Sequence, residues 1–182
     1  MHKAGFTLLE ILVAVAIIGL TAAIVIPAFT RRGPEYARRE AIAKLNALTN
    51  FAWRNALIDN KIYSIKFDFP TGQPSIISVE VETGTYKDGK PEFQPVERSY
   101  TDTEFEWPEH LEIRQFFLEK VDELYRKIKS IYFLIMPDGL TQDVIINFID
   151  TKDELSDGRP RQVGLVLNPF SAQFKTYGSF QQ

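Results

Sequence analysis

The chain has 182 residues, 45% of them hydrophobic, and 24 acidic against 21 basic side chains give a formal charge of −3. Weak acidity gives no general attraction to nucleic acid, and the absence of cysteine excludes a disulfide framework and thiol chemistry. The two histidines are His2 and His110; with no zinc spacing, glycine-rich phosphate loop or nucleophile elbow beside them, neither an enzyme nor a cofactor or metal is expected.

Met1-His2-Lys3-Ala4 forms a short basic leader ahead of Gly5, and from Phe6 to Phe29 the chain is apolar with Glu10 as its only charge. A bilayer core takes about 20 such residues in helical form. The segment is apolar on every side rather than along one stripe, which suits lipid or a packed bundle of helices. A removed secretory signal would have a shorter apolar core, roughly 7 to 15 residues, without an internal acid. A plain single-pass anchor fits the length but explains neither Glu10 nor the placement of Gly5. A charge at mid-membrane costs about 2.5 to 3.5 kcal/mol, less near the interface, and is usually retained for function. Complementing its own helix dipole would return Glu10 only about 0.3 to 1 kcal/mol.

Gly5-Phe6-Thr7-Leu8-Leu9-Glu10, followed by Ile11 to Leu20, resembles the amino-terminal signature of type IV prepilins and the pseudopilins of type II secretion; Pro27, late in the apolar run, also fits. The resemblance implies cleavage between Gly5 and Phe6 by a prepilin peptidase, N-methylation of the new Phe6 amine, and assembly with other pseudopilins or pilins. In a staggered array of such helices the Glu10 carboxylate of one subunit would meet the terminal amine of the next, a register device more than a source of stability. The expected divisions are a leader over 1–5, a transmembrane and polymerisation helix over 6–29, an amphipathic helix over 30–60 continuing into the head, and a β-rich head over 61–182. Flanking charge does not choose an orientation, because Lys3 faces Arg31 and Arg32 with Arg38 and Arg39 close behind. A single pass through the inner membrane, with the head in the periplasm, is what the resemblance implies.

Beyond the membrane, about 150 residues suffice for one domain. Ala37, Ala41, Leu45, Leu48, Ala52 and Ala56 recur at gaps of three or four, predicting a helix over Pro34 to Asn60 that faces a sheet. Gly33-Pro34 predicts a kink or short break before it, since proline suits a helix start and not its interior. Ile65, Phe67 and Phe69 alternate with polar residues, as do Ile77, Val79 and Val81, and Pro70 to Pro74 connects the two strands. Further strands are read at Ile131 to Met136, Val144 to Ile149, Gln162 to Leu167 and Gln173 to Tyr177, with Pro137-Asp138-Gly139 as a turn. Phe117, Val121, Leu124 and Ile128 have helical spacing, and Asp122 with Arg126 and Glu123 with Lys127 would be one-turn pairs, so a short inserted helix is expected there.

This order predicts an α+β, pilin-like fold: a long amino-terminal helix, membrane half plus amphipathic half, packed on an antiparallel β-sheet head. Together with Ala37-Arg38-Arg39-Glu40-Ala41-Ile42 leading into the strand at Ile62 to Phe69, and Ile131-Tyr132-Phe133 before Pro137-Asp138-Gly139, it resembles the minor pseudopilin H and FimT group. The major pseudopilin ranks second, and length disfavours the large tip pseudopilin. Members often carry glycine before the final strand, where this chain has Ala172, and the missing disulfide also departs from many pilins. Asp150, Asp153, Glu154 and Asp157 could bind calcium as the major pseudopilins do, but the spacing is not that of an EF-hand; a solvated hairpin loop is the default, and His110 is read as a loop or surface residue. The expected function is a structural minor pseudopilin subunit of a type II secretion pseudopilus, with a minor type IV pilin of pilus assembly or DNA uptake as the alternative. DNA binding would need a basic stripe. Arg159, Arg161 and Lys175 stand among acids, so no nucleic-acid partner is expected. A membrane-tethered enzyme is a distant third.

Overall fold

The computed structural model describes residues 8–30, 33–87, 89–97, 101–126 and 129–182, the side chains of 24–30 and 34 apart. Helix α1 spans Leu8–Thr30 and α2 spans Pro34–Asp59. Gly33 is extended, with φ −62° and ψ 165°, and Pro34 opens α2. There the missing proline N–H costs nothing, because the first helical N–H groups have no intrahelical acceptor. The break predicted at Gly33-Pro34 is present, so α1 and α2 are separate helices. At its other end α2 stops on Asn60, whose φ of 51° is the left-handed cap that asparagine tolerates.

Two antiparallel sheets follow. The first contains β1 (Tyr63–Asp68), β2 (Ile76–Lys87), β3 (Lys90–Pro95), β4 (Glu104–Glu106) and β7 (Ser130–Ile135), in the order β3-β2-β1-β7 with β4 also paired to β2. The second runs β10-β9-β8-β5-β6, from β5 (Leu111–Leu118), β6 (Val121–Asp122), β8 (Val144–Glu154), β9 (Pro160–Asn168) and β10 (Gln173–Tyr177). The alternation read in the sequence sets which face is inward: Tyr63, Ile65 and Phe67 of β1 and Val144, Ile146 and Phe148 of β8 are buried. Rings join the sheets, Phe67 edge-on to Phe116 at 5.0 Å and Phe133 to Phe174 at 6.1 Å, while Trp107 meets Phe148 at 5.4 Å. Such pairs add about 0.5 to 1.5 kcal/mol each beyond their buried area.

Helix α2 packs on strands of both sheets. Ala41, Leu45, Leu48, Ala52 and Ala56 form its buried seam, and the small alanines let the helix approach closely. Buried polar groups on it are satisfied locally: Thr49 donates to Leu45 O at 2.8 Å and Asn55 to Phe51 O at 2.7 Å. The turn at 137–139 docks near the far end, where Trp53 Nε1 donates to Gly139 O at 2.7 Å. Gly139 has φ +83°, and a Cβ there would lie 3.2 Å from Leu57 Cδ2, so both backbone and space call for glycine.

The expected inserted helix is not formed. Phe117 and Leu118 belong to β5, Glu119 and Lys120 take φ of 48° and 69° to turn into β6, and only Leu124–Arg126 makes a single 3₁₀ turn. Asp122 Oδ1 accepts the N–H groups of Phe116 at 3.2 Å and Leu124 at 3.1 Å, which fixes this turn. Lys127 and Ile128 lie outside the described residues. Strands β3, β4, β5 and β6 are not among those the sequence pattern marks. Ala172, in place of the glycine frequent in the resembled group, has φ 51° and is fully buried, a conformation that costs an L-residue roughly 1 to 2 kcal/mol.

Candidate functional site: the amino-terminal helix and its mooring

Gly5 and Phe6 lie outside the described residues. Glu10 stands in the first turn of α1. Around and beyond it the helix exposes apolar side chains on all sides: Leu8 is 82% exposed, Leu12 64% and Ile18 66%. Thr21 directs its hydroxyl into the helix, 2.8 Å from Ile17 O and 2.9 Å from Ile18 O, so the donor is satisfied without water. Among the described residues no helix is long and apolar enough to cross a membrane. Side chains of α1 are described as far as Ala23, while its backbone helix of 23 residues is about 34 Å long at the usual rise.

Where the chain leaves α1 and enters the head, one arginine ties α2 to the hairpin of β8 and β9. Arg38 Nη1 reaches Asp150 Oδ2 at 2.7 Å and Asp153 Oδ2 at 2.6 Å, and Arg161 Nε meets the same Asp153 oxygen at 2.6 Å. The Asp150 side chain is fully buried and that of Arg38 is 11% exposed; Asp150 Oδ1 also accepts the Lys152 N–H at 3.1 Å. Hydrogen bonds from Arg161, and then from Arg38, hold the Asp153 carboxyl below the usual carboxylate range. The same bond to Asp153 raises the Arg161 guanidinium further. Removing one member of such a buried set is costly, because a charge is left in low dielectric without its counterion.

Three of the four carboxylates weighed for calcium are therefore turned to guanidinium groups, Asp150 and Asp153 as described and Asp157 to Arg159 at 2.6 Å. Among the described residues, no three histidine, aspartate or glutamate side chains gather to hold a metal ion. The solvated-loop reading needs correcting at Asp150. It continues the inward row of Val144, Ile146 and Phe148 and is buried with them, a period-2 signal present in the sequence. Of the basic residues considered for DNA, Arg159 and Arg161 are paired to acids and Lys175 lies over the Tyr177 ring at 5.2 Å. His110 lies in the turn before β5, where its carbonyl accepts from the Thr151 N–H at 2.9 Å and the Thr151 hydroxyl at 3.2 Å.

Residues 1–26 match the family model of the prokaryotic N-terminal methylation motif. No curated protein matches the chain. Among solved structures, the minor pseudopilin EpsH from the Type 2 Secretion System of Vibrio cholerae superposes with a TM-score of 0.50 over 80% of this chain and 98% of that one, at 10% identity. The chain has a pseudopilin fold. At that identity the likeness speaks to architecture: an amino-terminal helix, then antiparallel sheets, as the α+β pilin-like expectation required. Within the pseudopilin fold, the methylation motif overlaps α1 as far as Ile26. The Arg38 mooring joins the next helix to the head.

Proposed function

We propose that the protein is a structural minor pseudopilin subunit of a type II secretion pseudopilus. A prepilin peptidase removes residues 1–5, cutting after Gly5, and the Phe6 amine is N-methylated. Phe6 to Phe29 then anchors the subunit in the inner membrane in a single pass, with the head in the periplasm, until it is drawn into a filament with other pseudopilins. Glu10 sets the stagger there by meeting the terminal amine of a neighbour, an ion pair whose strength in lipid makes a wrong register unfavourable. The observation that carries this reading is α1 itself. A helix exposing leucine, isoleucine and valine on every side, with one acid in its first turn, is unsuited to water and suited to a bundle of its own kind.

Processing is read by intact mass. Protein recovered from cells that contain a prepilin peptidase should lack residues 1–5 and carry one methyl group on Phe6. Recovery of only the full-length chain from those cells would refute the proposal.

A further inference from the structure

Strand β7 is an edge of the first sheet, and only half of that edge is closed. Its odd residues face β1 in register, Ile131 with Phe67, Phe133 with Ile65 and Ile135 with Tyr63. Phe69 N–H donates to Lys129 O at 2.8 Å in the same ladder, so the backbone groups of Ser130, Tyr132 and Leu134 point away from the sheet. At Leu134 those groups are met by Gln142. Its side-chain Oε1 accepts the Leu134 N–H at 2.8 Å, and its own N–H donates to Leu134 O at 3.3 Å. The returning chain thus starts an antiparallel track along β7, with Thr141 bridged to Ile135, and then departs into β8.

Past that departure the edge opens into a cleft of about 410 Å³, with Leu118, Ile131 and Leu134 among its apolar lining and Lys90 at its rim. Tyr132, 43% exposed, stands in it against Phe93 at 6.1 Å. Lys90 is exposed and pairs with no carboxylate among the described residues. Glu123, which also lines the cleft, is already engaged within the chain.

We propose that this cleft docks an extended segment of another polypeptide, which continues the Gln142 track antiparallel to β7. The segment would exchange backbone hydrogen bonds with Tyr132, place an apolar side chain against Leu118 and Leu134, and set an acidic one against Lys90. An unpaired stretch of edge backbone selects a strand over a helix, because only extended chain presents donors and acceptors at the matching repeat. Lys90 supplies the charge preference. The surface is read from the sheet alone and does not depend on the filament role proposed above.

The test uses the full chain in detergent micelles and a labelled, end-blocked heptapeptide, Thr-Val-Glu-Val-Glu-Val-Thr, followed by fluorescence anisotropy and amide hydrogen exchange. Binding should slow exchange at the Tyr132 amide. Tyr132→Pro removes an outward-facing N–H, a position edge strands tolerate, so it should leave the unfolding transition in place and weaken binding at least tenfold. Lys90→Glu should weaken binding several-fold, with recovery on a Thr-Val-Lys-Val-Lys-Val-Thr peptide, a result that misfolding could not produce. No binding at millimolar peptide, or binding indifferent to both substitutions, would overturn the proposal. Self-association of the chain that occupies the cleft and is lost in Tyr132→Pro would overturn the chosen occupant in favour of a second copy.

Discussion

Helices α1 and α2 have similar lengths, 23 and 26 residues, and opposite relations to their surroundings. In α2 a seam from Ala41 to Ala56 is buried against two sheets, Leu45 completely, with Leu57 and Ile58 left exposed; in α1 the large apolar side chains described, as far as Leu20, fall all round the helix and stay exposed. Helical hydrogen bonding is common to both, so the distribution of side chains around the axis decides what each must pack against. One helix is completed by its own head. The other leaves its described apolar side chains uncovered, and the break at Gly33 separates the two helices.

The strongest way to break this division is to cut the mooring. Arg38→Ala should destabilise the head by about 3 to 5 kcal/mol, because Asp150 would remain buried without its cation. Chemical unfolding of the full chain in detergent reads the loss as a lower midpoint at unchanged slope. The two helices can then be compared at equivalent leucines. Leu45→Ala should cost the head roughly 2 to 5 kcal/mol through the cavity it leaves, whereas Leu12→Ala should leave head unfolding within about 0.5 kcal/mol of wild type, as expected for a position outside the core. Equal losses at both sites would mean that α1 belongs to the head's core.

A smaller effect comes from pH. Asp153 is held below the usual carboxylate range, so its contribution is fully present above the unfolded value near 3.9 and is lost as pH falls through the lower folded value. Unfolding midpoints should hold steady from about pH 7 to 5 and drop below about pH 4. Asp153→Asn should flatten part of that drop. Asp157→Asn, at an exposed pair with Arg159, should leave it nearly unchanged.

Much of this architecture is legible in the amino-acid sequence. The seam of α2 showed in its spacing of three and four, and β1, β2, β7, β8, β9 and β10 in alternation or turn residues, because half-buried elements impose their period on the chain. Strand β3 carries no such mark: an edge strand reading Lys90-Pro91-Glu92-Phe93-Gln94-Pro95 has one large apolar residue and lies mostly in solvent. The false helix at 117–128 has a definite cause. The end of β5, a tight turn and a 3₁₀ turn happen to place Phe117, Val121 and Leu124 at helical intervals, while the positive-φ turn falls on Glu119 and Lys120 rather than on glycine or asparagine. At the proposed site, Gly5, Phe6 and Glu10 stand out because they fall in one contiguous stretch, inside the residues 1–26 that match the methylation motif. The Arg38–Asp150 pair spans 112 positions, and no local period links its two ends; only Asp150, in the inward register of β8, betrayed itself by place.

The most direct measurement on the central claim, that α1 is an assembly element with Glu10 as its register, is filament incorporation of Glu10→Gln in cells carrying the secretion machinery. Membrane insertion should equal that of the wild type, since a charge is removed from the apolar segment, and cleavage after Gly5 should proceed. Recovery in sheared filaments should fall several-fold, because the neighbour's terminal amine loses its counterion. Incorporation at the wild-type level would contradict the account and return Glu10 to the lesser part of complementing its own helix dipole.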